Sequence, residues 1–234
     1  MNRQAVNPDL PSWEYIPDGE PHVFNGRVYV YGSHDRFNAP IFCVNDYVCW
    51  SAPVEDLSEW RYEGVIYRKK QDPKNPLGYH LLFAPDVCQG PDGRYYLYYA
   101  FDFLGIMSVA VCDTPAGEYK FLGHIHYADG TLWGRRRGDQ LPFDPGVLVD
   151  DDGRVWLYSG FYNAVPAILT GGHKLRCDGG TVLELEKDMV TIKTEPRVIF
   201  PKKGPGAFQG HEFFEASSIR KEGKTYIFVY SSRH

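Results

Sequence analysis

An acidic residue a few positions ahead of one and the same hairpin is written four times along this chain, and no other feature limits its fold so tightly. The first copy is PDGEPHVFNGRVYVYGSHD, residues 17–35; the shape returns as PDVCQGPDGRYYLYYAFD, FDPGVLVDDDGRVWLYSG and FEASSIRKEGKTYIFVYSS. In each, a two-residue turn (Asn25-Gly26, Asp92-Gly93, Asp152-Gly153, Glu222-Gly223) separates two apolar runs. Glycine supplies the positive φ that such turns need. Runs such as 27–31, 94–99 and 225–230 are β-branched or aromatic and too short for independent helices. No apolar stripe of helical period is sustained anywhere, and 17 Tyr and 14 Phe against 3 Met favour strands. The chain is predicted to be all-β.

The turn glycines recur roughly every 60–70 residues, enough for four strands and long connections. Third strands are expected near Tyr47 to Trp50 and Ile106 to Cys112, and fourth strands near Trp60 to Tyr67 and Glu118 to Leu122. Four antiparallel strands per unit, repeated about an axis, make a β-propeller. A stacked solenoid suits the long, irregular repeats less well. At 234 residues, residues 1–234 read as one domain.

Asp18, Asp86, Asp144 and Glu215 lie seven to nine residues before their turn glycines, at the entry to each unit's first strand. In a propeller that strand lines the central channel, so the four acids are expected at one mouth. Taken singly, an acid before a hairpin is first a turn cap. These four stand beside Pro, Gly or aromatic residues rather than among Lys and Arg, which favours a shared functional mouth.

The net charge of −5 gives no field for a phosphate backbone, so nucleic acid is not an expected partner. Arg135-Arg136-Arg137 reads as a solvated loop. No run approaches the length of a membrane helix, and MNRQAVNPDLPSW has no apolar leader core, so a cytoplasmic, membrane-free protein is expected. The 5 cysteines show no Cys-x-x-Cys spacing and read as buried thiols rather than zinc ligands. Asp150-Asp151-Asp152 lacks the ligand alternation of a calcium loop and reads as turn chemistry. Trp50, Trp60 and Trp156 read as core, Trp133 as a pocket rim. His34 reads first as a structural histidine and second as a contact to a sugar hydroxyl.

Two carboxyls facing each other across a pocket, one protonated and one ionised, are the apparatus of glycoside hydrolysis. Glu215 lies between Phe214 and Ala216, apolar neighbours that keep a proton on; Asp18, between Pro17 and Gly19, is in a more open setting. A third acid, Asp144, separates the two and orients the donor.

On these residues the chain resembles glycoside hydrolase family 43, the five-bladed propeller β-xylosidases, α-L-arabinofuranosidases and arabinanases. The resemblance runs from about Asn7 to the last residue. It rests on Asp18 with His22-Val23-Phe24, on Ala84-Pro85-Asp86, on Phe143-Asp144-Pro145 and on Phe214-Glu215. It implies an inverting mechanism with Asp18 as base, Glu215 as acid and Asp144 as pKa modulator, acting on a pentose-containing oligosaccharide. Phe143 would wall the sugar site. Phe83 stands where the family's motif usually has Trp, and Asp86 either shapes the pocket or holds its blade.

Against five blades, the chain is expected to supply blades 1–3 and the inner half of blade 4. No cofactor is expected; calcium suits the complete fold, but its usual histidine belongs to the fifth blade and no metal ligand is assigned. An open propeller is expected to self-associate through its strand edge. The competing reading is an inactive propeller that only binds sugar or protein, and a third is a related five-bladed enzyme with another furanoside or fructoside preference.

Overall fold

The computed structural model describes residues 9–205 and 208–232. The first eight residues, with the start of the resemblance at Asn7, and the final Arg233-His234 lie outside the described residues.

Every turn predicted from the repeat joins a strand pair. Blade 1 is β1 (Glu20–Phe24), β2 (Arg27–Tyr31), β3 (Tyr47–Pro53) and β4 (Arg61–Tyr67). Blade 2 is β5 (Asp86–Gln89), β6 (Tyr95–Ala100), β7 (Met107–Cys112) and β8 (Lys120–His124). Blade 3 is β9 (Gly146–Val149), β10 (Val155–Phe161), β11 (Gly179–Leu185) and β12 (Arg197–Pro201). The pair β13 (Phe213–Glu222) and β14 (Thr225–Ser232) begins blade 4. Within each sheet the strands pair in chain order, all antiparallel. Two short 3₁₀ turns, Lys69–Gln71 and Ala167–Thr170, are the helical elements among the described residues. The fold is a β-propeller, present as three whole blades and the inner half of a fourth.

The packing explains why β6 reads Tyr-Tyr-Leu-Tyr-Tyr-Ala without a polar residue. Successive side chains of a strand point to opposite faces, and a middle blade buries both. Tyr95, Leu97 and Tyr99 pack with Tyr31, Tyr47 and Tyr67 of blade 1. Tyr96 and Tyr98 pack with Leu157, Leu183 and Leu185 of blade 3. Buried tyrosines need partners for their hydroxyls: Tyr98 donates to Met189 O at 2.9 Å and Tyr99 to Asp72 Oδ2 at 2.7 Å.

Inner strands are joined by polar contacts around the channel. Asp86 on β5 meets His22 Nε2 of β1 at 2.6 Å and accepts the N–H of Val147 on β9 at 2.6 Å. Blades 1 and 4 touch as well, because Glu20 accepts Ser218 Oγ at 2.8 Å and pairs with Arg220. An open ring would leave the inner faces of those two blades without a neighbour; here these contacts bring them together. The outward strand β14 does expose Tyr226, Ile227 and Val229.

Several side chains depart from their sequence readings. Trp133 is fully buried between blades 2 and 3, not at a rim. Trp60 and Trp156 are only partly buried, and Arg154 lies over the Trp156 ring. Arg135 is no solvated loop residue: its guanidinium donates to Leu104 O and Gly105 O. Arg136 covers the Tyr127 ring, which leaves Arg137 as the exposed member of the run. Asp150 does more than make a turn, accepting Lys221 and Tyr226 from blade 4. All five cysteines are free thiols. Among the described residues no helix is long and apolar enough to cross a membrane.

Candidate active site

The loops entering β1 and β9 and the start of β13 meet over a cavity of about 400 Å³ at one end of the channel. Asp18, Asp144 and Glu215 all line it, so three blades contribute one acid each. Two of the acids sit on backbone that L-residues avoid: Asp18 has φ 55° and Asp144 φ 47°. Ala216, next to Glu215, has φ 60°, and Cys43 and Phe103 on the cavity wall have φ 57° and 51°. Each such residue costs on the order of 1 kcal/mol or more, and such strain gathers at functional sites. Glu215 is aimed by irregular pairing, since the β13–β14 register shifts on both sides of it.

The three acids differ in surroundings. Asp18 accepts Ser33 Oγ at 3.0 Å. Burial, then the negative charge of Glu215, hold the Asp144 carboxyl well above its ordinary value, against a bond from Ala216 N–H. Glu215 is raised as well, first by burial and then by the charge on Asp18. The cavity thus raises the proton affinity of two of its acids, Asp144 most and Glu215 less, and its walls explain the burial. Phe143 stacks on Phe103 at 5.3 Å and 10°, and packs edge-on against Phe83 at 5.5 Å. Phe161 and Phe214 continue the wall at 5.7 Å.

Phe83 and Phe143 line the cavity as the sequence suggested. Three other candidates do not. His34 is spent on structure, with Nδ1 against Asp46 O at 2.9 Å and Nε2 against Glu14 at 3.0 Å. Asp86 is fully buried and staples blades 1, 2 and 3, so of its two readings the blade-holding one stands. Trp133 lies in the core, as described. The same cavity holds residues the sequence reading did not assign, above all Asp35, Phe42, Phe103 and Phe161. Their shared signal is position: in blades 1 to 3 the chain leaving the second strand passes over the mouth, just as the acids enter it.

Glu20, His22 and Asp86 bring three potential metal-binding atoms within 4.8 Å of one another. Calcium takes six to eight oxygen ligands. This set offers two carboxylates already engaged by Arg220, Ser218 and Val147, and one imidazole. It does not fit calcium as it stands.

A family model for glycosyl hydrolases family 43 matches residues 17–234. The chain belongs to that family. It is 60% identical over 236 residues to a xylosidase/arabinosidase of Thermoclostridium stercorarium, covering 99% of this chain and 48% of that protein. It is 31% identical to xylosidase/arabinosidase 43A of Humicola insolens over 93% of this chain and 72% of that one. A family 43 β-xylosidase/α-arabinofuranosidase from a compost metagenome, solved with xylotriose, superposes with a TM-score of 0.69 at 26% identity. That superposition covers 97% of this chain and 73% of the other. This family 43 chain thus spans about half the length of its Thermoclostridium relative.

Proposed function

We propose that the protein is an inverting glycoside hydrolase that releases xylosyl or arabinofuranosyl residues from plant-derived oligosaccharides. One observation carries the reading: Asp18, Asp144 and Glu215, from three blades, line one phenylalanine-walled cavity in which Glu215 is biased toward its protonated form. In this reading Asp18 takes a proton from water as the water oxygen attacks the anomeric carbon. Glu215 gives its proton to the leaving glycosidic oxygen as that bond breaks. Asp144, buried and bonded to the N–H of Ala216, holds the residue beside Glu215 and in this reading acts as the pKa modulator. Acid, base and water suffice, so no cofactor is invoked. The relatives' names, xylosidase and arabinosidase, support the sugar class. A propeller that only binds has no use for a raised carboxyl facing a second one across a pocket.

The test is hydrolysis of aryl β-xylosides and aryl α-L-arabinofuranosides, with the first-formed anomer followed by NMR. Release of the inverted anomer is expected. Retention, or no turnover of either substrate by the intact protein, would overturn the reading.

A further inference from the structure

The cavity holds a fourth carboxylate, Asp35, that the hydrolytic scheme does not use. It lies four residues beyond β2, at the open end of the hairpin that Asp18 enters. The two chain segments run against each other there: a Cβ on Gly32 would come within 2.8 Å of Pro17 O, and Ser33 Oγ bonds to Asp18. Asp35 is fixed from several sides. Its N–H donates to Tyr15 O at 3.0 Å, and its carbonyl accepts Asn45 Nδ2 at 2.7 Å. Its Oδ1 accepts the N–H of Cys43 at 2.5 Å, closing the loop between them.

Among the described residues Oδ2 meets no protein donor, although Oδ1 and the backbone are fully engaged. Among the described residues no Lys, Arg or His lines the cavity; its titratable acids are Asp18, Asp35, Asp144 and Glu215. An anchored carboxylate with one free oxygen, beside apolar rings and without a cation, matches a ring hydroxyl, which is neutral and donates. It repels a carboxylated or phosphorylated sugar.

We infer that Asp35 is a substrate-positioning residue, its Oδ2 accepting a hydroxyl of the bound sugar and restricting the site to neutral rings. This rests on the sugar-hydrolase reading of the same cavity. A hydrogen bond to a charged acceptor corresponds to roughly 10- to 100-fold in affinity.

The experiment uses the full-length protein and equilibrium binding of aryl xylosides and arabinofuranosides, their monodeoxy derivatives, and an aryl glucuronide. Binding is read apart from turnover. The wild type is expected to lose roughly 10-fold or more on one deoxy derivative. Asp35→Asn, which keeps an acceptor for Cys43, should lose little further on that derivative and should narrow the discrimination against the glucuronide. If Asn lowers the melting temperature, Asp35→Glu, which keeps the charge but displaces the free oxygen, should keep the discrimination against the glucuronide and lose the deoxy coupling. Equal deoxy losses in wild type and variants, or unchanged discrimination in Asp35→Asn, would overturn the inference. Sugar binding with the expected coupling but no turnover would instead count against the hydrolase reading alone.

Discussion

Asp144 Oδ2 accepts the backbone N–H of Ala216 at 3.0 Å, tying the acid of blade 3 to the residue that follows Glu215. The carboxyl is buried and its proton affinity is raised. The native state therefore binds this proton more tightly than the unfolded chain does. The associated stability is full below the ordinary value of 3.8 and is lost as pH rises through the native value. Asp144→Asn keeps an oxygen for Ala216 and carries no charge. Its melting temperature should match the wild type at the acid end and exceed it near neutrality, by roughly 2–4 °C for each kcal/mol gained. Activity should fall over the whole range. Thermal scans across pH check both statements.

Glu215→Gln should lower kcat/KM by about 10²–10⁴-fold on substrates with poor leaving groups. Dinitrophenyl glycosides, whose leaving group needs no proton, should be affected far less. The wild-type pH profile should be bell-shaped, with the alkaline limb above the ordinary glutamate value of 4.5 because burial and Asp18 raise Glu215. The variant should lose that limb. Equal losses on both substrate classes would remove Glu215 from the acid role.

Asp86→Ala leaves the Val147 N–H and His22 without their buried acceptor. Removing one member of a buried polar pair typically costs about 3–5 kcal/mol. Urea unfolding should register that loss, while KM of the folded fraction stays near the wild-type value. A selective rise in KM at unchanged stability would return Asp86 to the sugar pocket.

Trp133 separates core from rim in the same way. Trp133→Ala should destabilise by about 3–5 kcal/mol through the cavity it leaves. Trp133→Phe should cost much less, since the indole Nε1 has no partner among the described residues. Neither should alter the ratio of xyloside to arabinofuranoside hydrolysis in protein that remains folded.

The hairpins were legible because turn chemistry and alternation are local: Asn25-Gly26 or Asp92-Gly93 declares its strands within a dozen residues. The acids were legible because their offset from the turn repeats, which placed Asp18, Asp144 and Glu215 in one cavity. Asp86 obeys the same offset yet lies in the wall between blades. Offset gives the channel but not the height along it, and Asp86 opens its strand whereas Asp18 and Asp144 stand two residues before theirs. Trp133 was misplaced, and His34 was left with two readings of which the structural one holds, for another reason. Both lie on long connections, where contacts such as His34 to Glu14 and Asp46 depend on tertiary placement and leave no periodic trace. Asp35 escaped notice because attention to strand entries overlooks the exits.

The contact between Glu20 and Arg220 joins residues 200 positions apart, whereas each hairpin is closed by neighbours. Local pairings of this kind form early, and the distant docking comes last. Asp18 and Glu215 belong to those same two segments, so a ribosome must synthesise nearly all of this chain before acid and base can face each other. Recovery of turnover during refolding should therefore lag behind recovery of the strand signal, and the delay between them would time the closure of blade 4 onto blade 1.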